Sequence, residues 1–591
     1  MYQLHDQEAV LKSVGVSPDH CLSSLRSLSG LGSSGRHPSN IRQQLVTLLG
    51  EPSCPHPFVS RVELTVLKPR GGEETSPTEF PVLLPHELFS HIFEHFPQRF
   101  DDIFCNGGGV ANLRDFWDGA VALRDPRLKF HSAAQAPRWR ERCVPLSLHG
   151  DAVATTKIGQ SGTRSFDVFS WAGLLATGST KVVKLYTWGV FEPCKTEAGM
   201  SRIWAIVTWS LRALADGIWP ETDVDGVPFR KGTREHRLAG SRLAGDYFAI
   251  PWILKADWEH WHKCWWLKYH SRNDFCEYCD ANRGPNASML FNNVRSDAAW
   301  KGTIVGPEAW RERNPNRHPL LALPNMSIHN IECDELHCLY LGVSMYFVGS
   351  VLFHLCYNVL PASAADNLNT IWNDLVKAYG EFGSSCQFSS LSLGMFVNTA
   401  TPRGSYPRLK GKGAELKDII APLCAVFDTY RRRRDRRDDL IAAALSHLLD
   451  AQNVLSDSAK LPFLPGDDSS KLQRHIDSFL QAYQALAHQA DLQGELLWSI
   501  VPKHHALWHL AARSRYLHPR RGNCCIDESF VGVIKEIVRS CTHGLEPHLV
   551  SSRVMENYRF GLHFSRCTGT ITTARSEEAP QYTHPYQSKP N

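Results

Sequence analysis

The sequence predicts an α/β chain built on a mixed β-sheet and interrupted by a long all-helical insertion. Three observations predict it. Residues 143–256 carry short β-like runs around one long amphipathic helix, in the order β-β-β-α-β. Beyond Trp300 the apolar residues recur mostly at helical spacing. Hydrophobic residues make up 43% of the chain and charged residues 21%, which supplies a packed core and excludes global disorder.

Residues 1–79 form a weakly patterned N-terminal segment. It has a Ser/Gly-rich patch at Ser27–Ser39 and a linker-like run at Lys68–Thr78. Residues 80–142 read as helical, with Leu88, Ile92 and Phe93 at helical spacing. Residues 143–260 hold the first part of the core. Its β runs are Cys143–Ala154, Ser165–Ala176 and Thr180–Phe191, separated by turn residues such as Gly159, Gly162 and Gly178. A helix over Thr196–Asp216 aligns Ile203, Ile206, Val207, Leu211 and Leu214, and Asp246–Ala256 fits a buried strand.

Residues 261–300 form a Cys-containing segment, 301–500 the helical insertion, and 501–567 the last part of the core. Residues 568–591 are polar, carry several Pro, and are expected to be disordered. Within the insertion, Leu339–Leu360 contains no Asp, Glu, Lys or Arg. Ser344, Ser350, His354 and Asn358 interrupt it and no basic flank borders it, so it reads as a buried core helix rather than a membrane span.

A net charge of +4 is too small to signal a nucleic-acid partner, so any basic footprint has to be local. Met1–Gly30 has no continuous apolar run of the signal-peptide kind. The 17 Cys, an odd number, are therefore read as reduced thiols or metal ligands in an intracellular protein.

Asp151 lies near the end of the first β run and Asp257 just after the fourth. Where those strands neighbour one another, both carboxylates emerge together. Joined by a third acid, they can hold two Mg²⁺ ions about 3.5–4 Å apart. Each Asp alone has a plainer reading as a turn residue or helix cap. Gly150 is expected to allow a sharp turn before Asp151. The third acid is Glu528, which opens an amphipathic helix; its neighbour Asp527 is a rival, and first-turn acids often serve only the helix dipole.

Upstream of that helix, Lys503, His505, His509, Arg513, Arg515, Arg520 and Arg521 form a basic stretch interleaved with Trp508 and Tyr516. It is a candidate track for a phosphate backbone, or else a solvated surface. The run Arg431–Arg437 offers the same two readings, DNA contact or solvated helix face. Cys276 and Cys279 form a CxxC, half of a four-ligand Zn²⁺ site. The other half is sought among His260, His262, Cys264, His270, Cys333, Asp334, His337 and Cys338. Asp334 and His337, at i and i+3, suit a metal site or a structural hydrogen-bonded pair.

Together these features resemble the CACTA-type (En/Spm-like) transposases of the ribonuclease-H-like superfamily, over roughly residues 140–565. The pieces that carry the resemblance are Asp151, Asp257, the CxxC of Cys276 and Cys279, the D-x-x-H of Asp334 and His337, and Glu528. The resemblance implies a ribonuclease-H-like core in which Asp151, Asp257 and Glu528 bind Mg²⁺ or Mn²⁺. It implies DNA cleavage at element ends, strand transfer to target DNA, a homo-oligomer when active, and a nuclear location. The alternative is a catalytically inactive transposase-derived DNA-binding or scaffold protein.

Overall fold

The computed structural model describes residues 54–567, apart from 68–71, 132–133, 135, 156–164, 285–286, 315–317, 324–325 and 543–544. The Ser27–Ser39 patch and the tail from Thr568 lie outside the described residues.

The first described element is an antiparallel hairpin of β1 (Phe58–Leu67) and β2 (Glu73–Val82). The reading of residues 1–79 as a weakly patterned segment and linker is corrected over the described part of that range, where these two strands form. The first residues of β2 are polar and exposed, and Phe80, Pro81 and Val82 anchor its far end. Such a strand shows no apolar alternation for a sequence reading to find. Helices α1 (Pro85–His95) and α2 (Gly109–Ala122) follow.

A mixed four-stranded sheet then forms the centre of the fold. Its strands are β3 (Cys143–Ala154), β4 (Ser165–Gly173), β5 (Leu185–Phe191) and β6 (Phe248–Lys255), in the spatial order β5-β4-β3-β6. β3 pairs antiparallel with β4 and parallel with β6. Between β5 and β6 runs α3 (Glu197–Asp216). The Thr196 hydroxyl caps it by accepting from the Gly199 amide, and Gly217 ends it in the left-handed conformation. The third β run of the sequence reading is split, because Thr180–Val183 forms one helical turn before β5.

β6 is an edge strand, yet all eight of its residues are buried. Its edge is covered from residues 330–332: Ile331 bridges Leu254, the Glu332 amide donates to the Leu254 carbonyl, and the Asn330 amide side chain donates to the Trp252 carbonyl. After β6 come α4 (Trp258–Trp265) and an irregular segment.

The helical insertion includes α5 (Leu336–Val359), α6 (Ala364–Glu381), α7 (Ile420–Tyr430), α8 (Arg436–Asp457) and α9 (Asp468–Leu492). α5 is long and apolar enough to cross a membrane, and it lies largely buried inside the fold. His354 within it pairs with Asp438 at 2.7 Å. The chain returns to the sheet through α10 (Pro502–Arg513), α11 (Cys525–Cys541) and α12 (Pro547–Cys567).

Candidate functional site

The site gathers where the parallel pairing of β3 and β6 ends. Their parallel register pairs His149 with Lys255. Two residues beyond that last pair stand Asp151, still within β3, and Asp257, just past β6 at the start of α4, and the charge of Asp257 acts on the Asp151 carboxyl. β3 is fully buried from Cys143 to Gly150 and alternates between half-buried and exposed from Asp151 onward, so the acid sits where the strand leaves the core. Asp257 caps α4 by accepting the His260 amide at 2.6 Å.

Gly150 lies inside β3, opposite Phe169, and makes no turn. This corrects the sequence expectation. Its function is spatial: a β-carbon at 150 would stand 2.0 Å from His260 Nε2. The missing side chain lets the first turn of α4 seat its imidazole on the strand, which fixes the capped end carrying Asp257.

On the other face of β3, α11 is docked by an ion triad. Asp527 is wholly buried and pairs with Lys255 Nζ at 2.6 Å and with Lys184 Nζ. The Lys255 ammonium also donates to the carbonyls of Arg521 and Asn523, just before the helix, each at 3.3 Å. Burial acts to raise the Asp527 carboxyl, but the two ammonium groups hold it well below the usual carboxylate range. Asp527 is thus a structural ion-pair partner. Glu528, one residue on, is half-buried and turned toward His337, with Oε1 3.5 Å from Nε2.

The D-x-x-H element completes the wall. The bridge from Ile331 to Leu254 carries three residues on to Asp334 and to Asp257. Asp334 accepts the amides of Leu336 (2.9 Å), His337 (3.2 Å) and Cys524 (2.9 Å), and also contacts His337 Nδ1. One buried carboxylate therefore ties the start of α5 to the start of α11. Burial opposes its charge, yet the hydrogen bonds from His337 and the amides keep it below the ordinary range. Burial also works against a charged His337, but Asp334 and Glu528 outweigh it and raise the imidazole.

The electrostatics link the acids. Burial, then the charge of Asp257, pushes the Asp151 carboxyl up to about 7, with Glu528 adding to the rise and the Ala152 amide and His337 opposing it. Glu528 is raised by burial, opposed by His337, and raised further by Asp334 and Asp257. The charge of Asp257 thus disfavours ionisation of both Asp151 and Glu528, and a cation near them would relieve that cost.

A cleft leads from Asp257, Asp334 and His337 past Lys503 to a second cluster. There Cys276, Cys279, His505 and His509 meet, all buried, with their ligand atoms within 4.8 Å of one another. The sulfurs are 3.7 Å apart, the two Nε2 atoms 3.0 Å, and His505 Nε2 lies 3.2 and 3.3 Å from the sulfurs of Cys276 and Cys279. This cluster could hold a metal ion. Its second half comes from α10, 226 residues beyond Cys279, and not from the nearer Cys and His residues that the sequence suggested.

The basic stretch is corrected in consequence. His505 and His509 face the cysteines and not a phosphate backbone. Arg513 is turned inward, pairing with Glu332 at 2.9 Å and donating to the carbonyls of His329 and Ile331. Lys503 donates to the Leu341 carbonyl at 3.1 Å. Arg521 donates to the carbonyls of Leu174 and Lys460, and Arg520 reaches Ser456 at 3.5 Å. Only Arg515 in that set is exposed, with its guanidinium over the Tyr516 ring. The arginine run has local partners too: Arg431 and Arg433 meet Asp428, Arg432 meets Asp438, and Arg437 meets Glu495.

No protein-family model matches the chain, and no curated protein matches it.

Proposed function

We propose that the chain is a DDE-type transposase with a ribonuclease-H-like core, cleaving DNA and transferring strands in a divalent-metal-dependent reaction. The observation that carries this reading is that Asp151 and Asp257 each lie two residues past the last pair of neighbouring parallel strands, with the charges of Asp257 and Glu528 acting on Asp151 and that of Asp257 on Glu528. The sheet order supports it: the first strand of the β-β-β-α-β run is internal and lies beside the fourth, as convergence of the two acids requires.

Three carboxylates beside water suit Mg²⁺ or Mn²⁺, and a carboxyl raised to about 7 among like charges is one such an ion would relieve. Asp151, Asp257 and Glu528 would hold it. The chemistry supplied there is activation of an attacking oxygen and stabilisation of a leaving one. His337 positions Glu528, and Asp334 holds His337 and the N-terminal end of α11 in register. Asp527 holds the helix on the sheet, so the adjacent Glu528 is presented from a fixed element.

The Cys276, Cys279, His505, His509 cluster is proposed as a structural Zn²⁺ site. Tetrahedral Zn²⁺ with bonds of about 2.3 Å to sulfur and about 2.0–2.1 Å to nitrogen requires edges of roughly 3.7–3.8 Å for S···S and 3.3–3.4 Å for N···N. The separations of 3.7 and 3.0 Å are close to these. Such an ion would staple the chain leaving the core to the chain returning to it.

The test is incubation of the full chain with supercoiled DNA and Mn²⁺, followed by analysis of nicked and strand-joined products. Cleavage that Asp151→Asn or Asp257→Asn abolishes while DNA binding persists supports the reading. Cleavage undiminished in either variant removes that acid from the chemistry and overturns it.

A further inference from the structure

A second group of metal-ligating side chains, sharing no residue with the acids or the cysteine cluster, lies on the α8–α9 hairpin of the insertion. His447 and Asp450 stand one turn apart on α8, and His475 faces them from α9. All three are half-buried, and the side chains of His475 and Asp450 keep 29% and 45% of their exposure, so solvent reaches the cluster.

His475 Nδ1 lies 3.4 Å from His447 Nδ1 and 3.6 Å from Asp450 Oδ2. A plain hydrogen-bonded trio explains this poorly. Whichever imidazole carries the Nδ1 proton, both separations exceed the roughly 2.9 Å of a good N–H···O bond. They equal, within about 0.3 Å, the edge between ligand atoms that share a tetrahedral ion at about 2.0–2.1 Å. Two imidazoles and a carboxylate form a borderline donor set that suits Zn²⁺ among the available divalent ions, whereas Mg²⁺ prefers all-oxygen coordination.

We infer that His447, Asp450 and His475 form a second Zn²⁺ site, exchangeable and completed by water, that clips α8 to α9. It differs from the Cys276, Cys279, His505, His509 cluster in two ways. It has no thiolate, and it opens to solvent, so its ion should exchange under mild chelation while the buried one stays. It does not depend on the transposase reading, because none of its residues belongs to the acid site.

The test uses the full chain in excess Mg²⁺, which fills carboxylate sites, dialysed against a weak chelator and titrated with Zn²⁺ and then with Co²⁺. The wild type should bind one more equivalent than the variant carrying His447→Ala and Asp450→Asn, and than His475→Gln alone. The affinity lost should exceed the ~10–100-fold that removal of an outer-shell partner costs. The additional Co²⁺ equivalent should add ligand-field absorption without a thiolate charge-transfer band. Equal metal counts in wild type and both variants, with folding verified by circular dichroism, would overturn the inference. So would a thiolate band accompanying that equivalent.

Discussion

The imidazole of His260 occupies the space that a β-carbon on residue 150 would fill, its Nε2 2.0 Å from that position. Gly150→Ala must therefore push His260 off β3 and, with it, the capped start of α4 that bears Asp257. The expected cost is about 1–3 kcal/mol of stability, the range of an overpacked core site, together with loss of metal-dependent cleavage. Urea unfolding measures the first. Adding His260→Ala to Gly150→Ala should recover stability relative to Gly150→Ala alone, because the clash is removed.

Adjacent acids on α11 should behave oppositely. Asp527→Ala leaves Lys184 and Lys255 buried without their counter-ion, and breaking a buried pair in this way costs roughly 3–5 kcal/mol. Glu528→Gln touches a half-exposed group and should change stability by under about 0.5 kcal/mol while abolishing cleavage. Thermal melts of the two variants beside a nicking assay separate the roles; similar melts for both would refute the assignment of Asp527 as the anchor.

Asp151 makes stability depend on pH. Its carboxyl titrates at the ordinary 3.8 in the unfolded chain and at about 7 in the fold, so between those values the folded state holds the extra proton and stability falls as pH rises. Asp151→Asn should thus stabilise the metal-free protein above pH 7, by ~1–2 kcal/mol once partial solvent exposure is allowed for, with the gain vanishing below about pH 4. Unfolding curves at pH 4 and pH 8 decide it: an equal effect at both would place the carboxyl outside this environment.

Metal removal should act on stability through the cysteine cluster. If Cys276, Cys279, His505 and His509 share an ion, stripping it with a strong chelator lowers the melting temperature, and Zn²⁺ restores it with release of protons. Cys279→Ser should make the protein insensitive to both treatments.

Much of the sheet was legible because its strands are apolar, short and bounded by turn residues; β3 begins and ends where the sequence places it. The hairpin of β1 and β2 was not: β1 alternates over Arg61–Leu64, but the exposed polar start of β2 leaves its partner strand without a pattern to read. Asp151, Asp257 and Glu528 could be singled out as carboxylates at element ends. The division of labour between Asp527 and Glu528 could not, because it depends on which face of α11 meets Lys255. His505 and His509 were read with their basic neighbours as a phosphate track or a solvated surface. Their partners lie across the whole insertion, and sequence spacing carries no trace of such a contact. Arg513 misleads in the same way: a guanidinium turned inward onto Glu332 looks, in sequence, like one facing DNA.

Asp151, Asp257 and Glu528 are proposed to share one divalent-metal site. A Mn²⁺ titration followed by electron paramagnetic resonance at pH 8, with Zn²⁺ sites filled beforehand, tests it most directly. The predicted result is Mn²⁺ binding by the wild type that weakens by at least ~10-fold in each of Asp151→Asn, Asp257→Asn and Glu528→Gln. Binding of equal strength in the wild type and all three variants would contradict it.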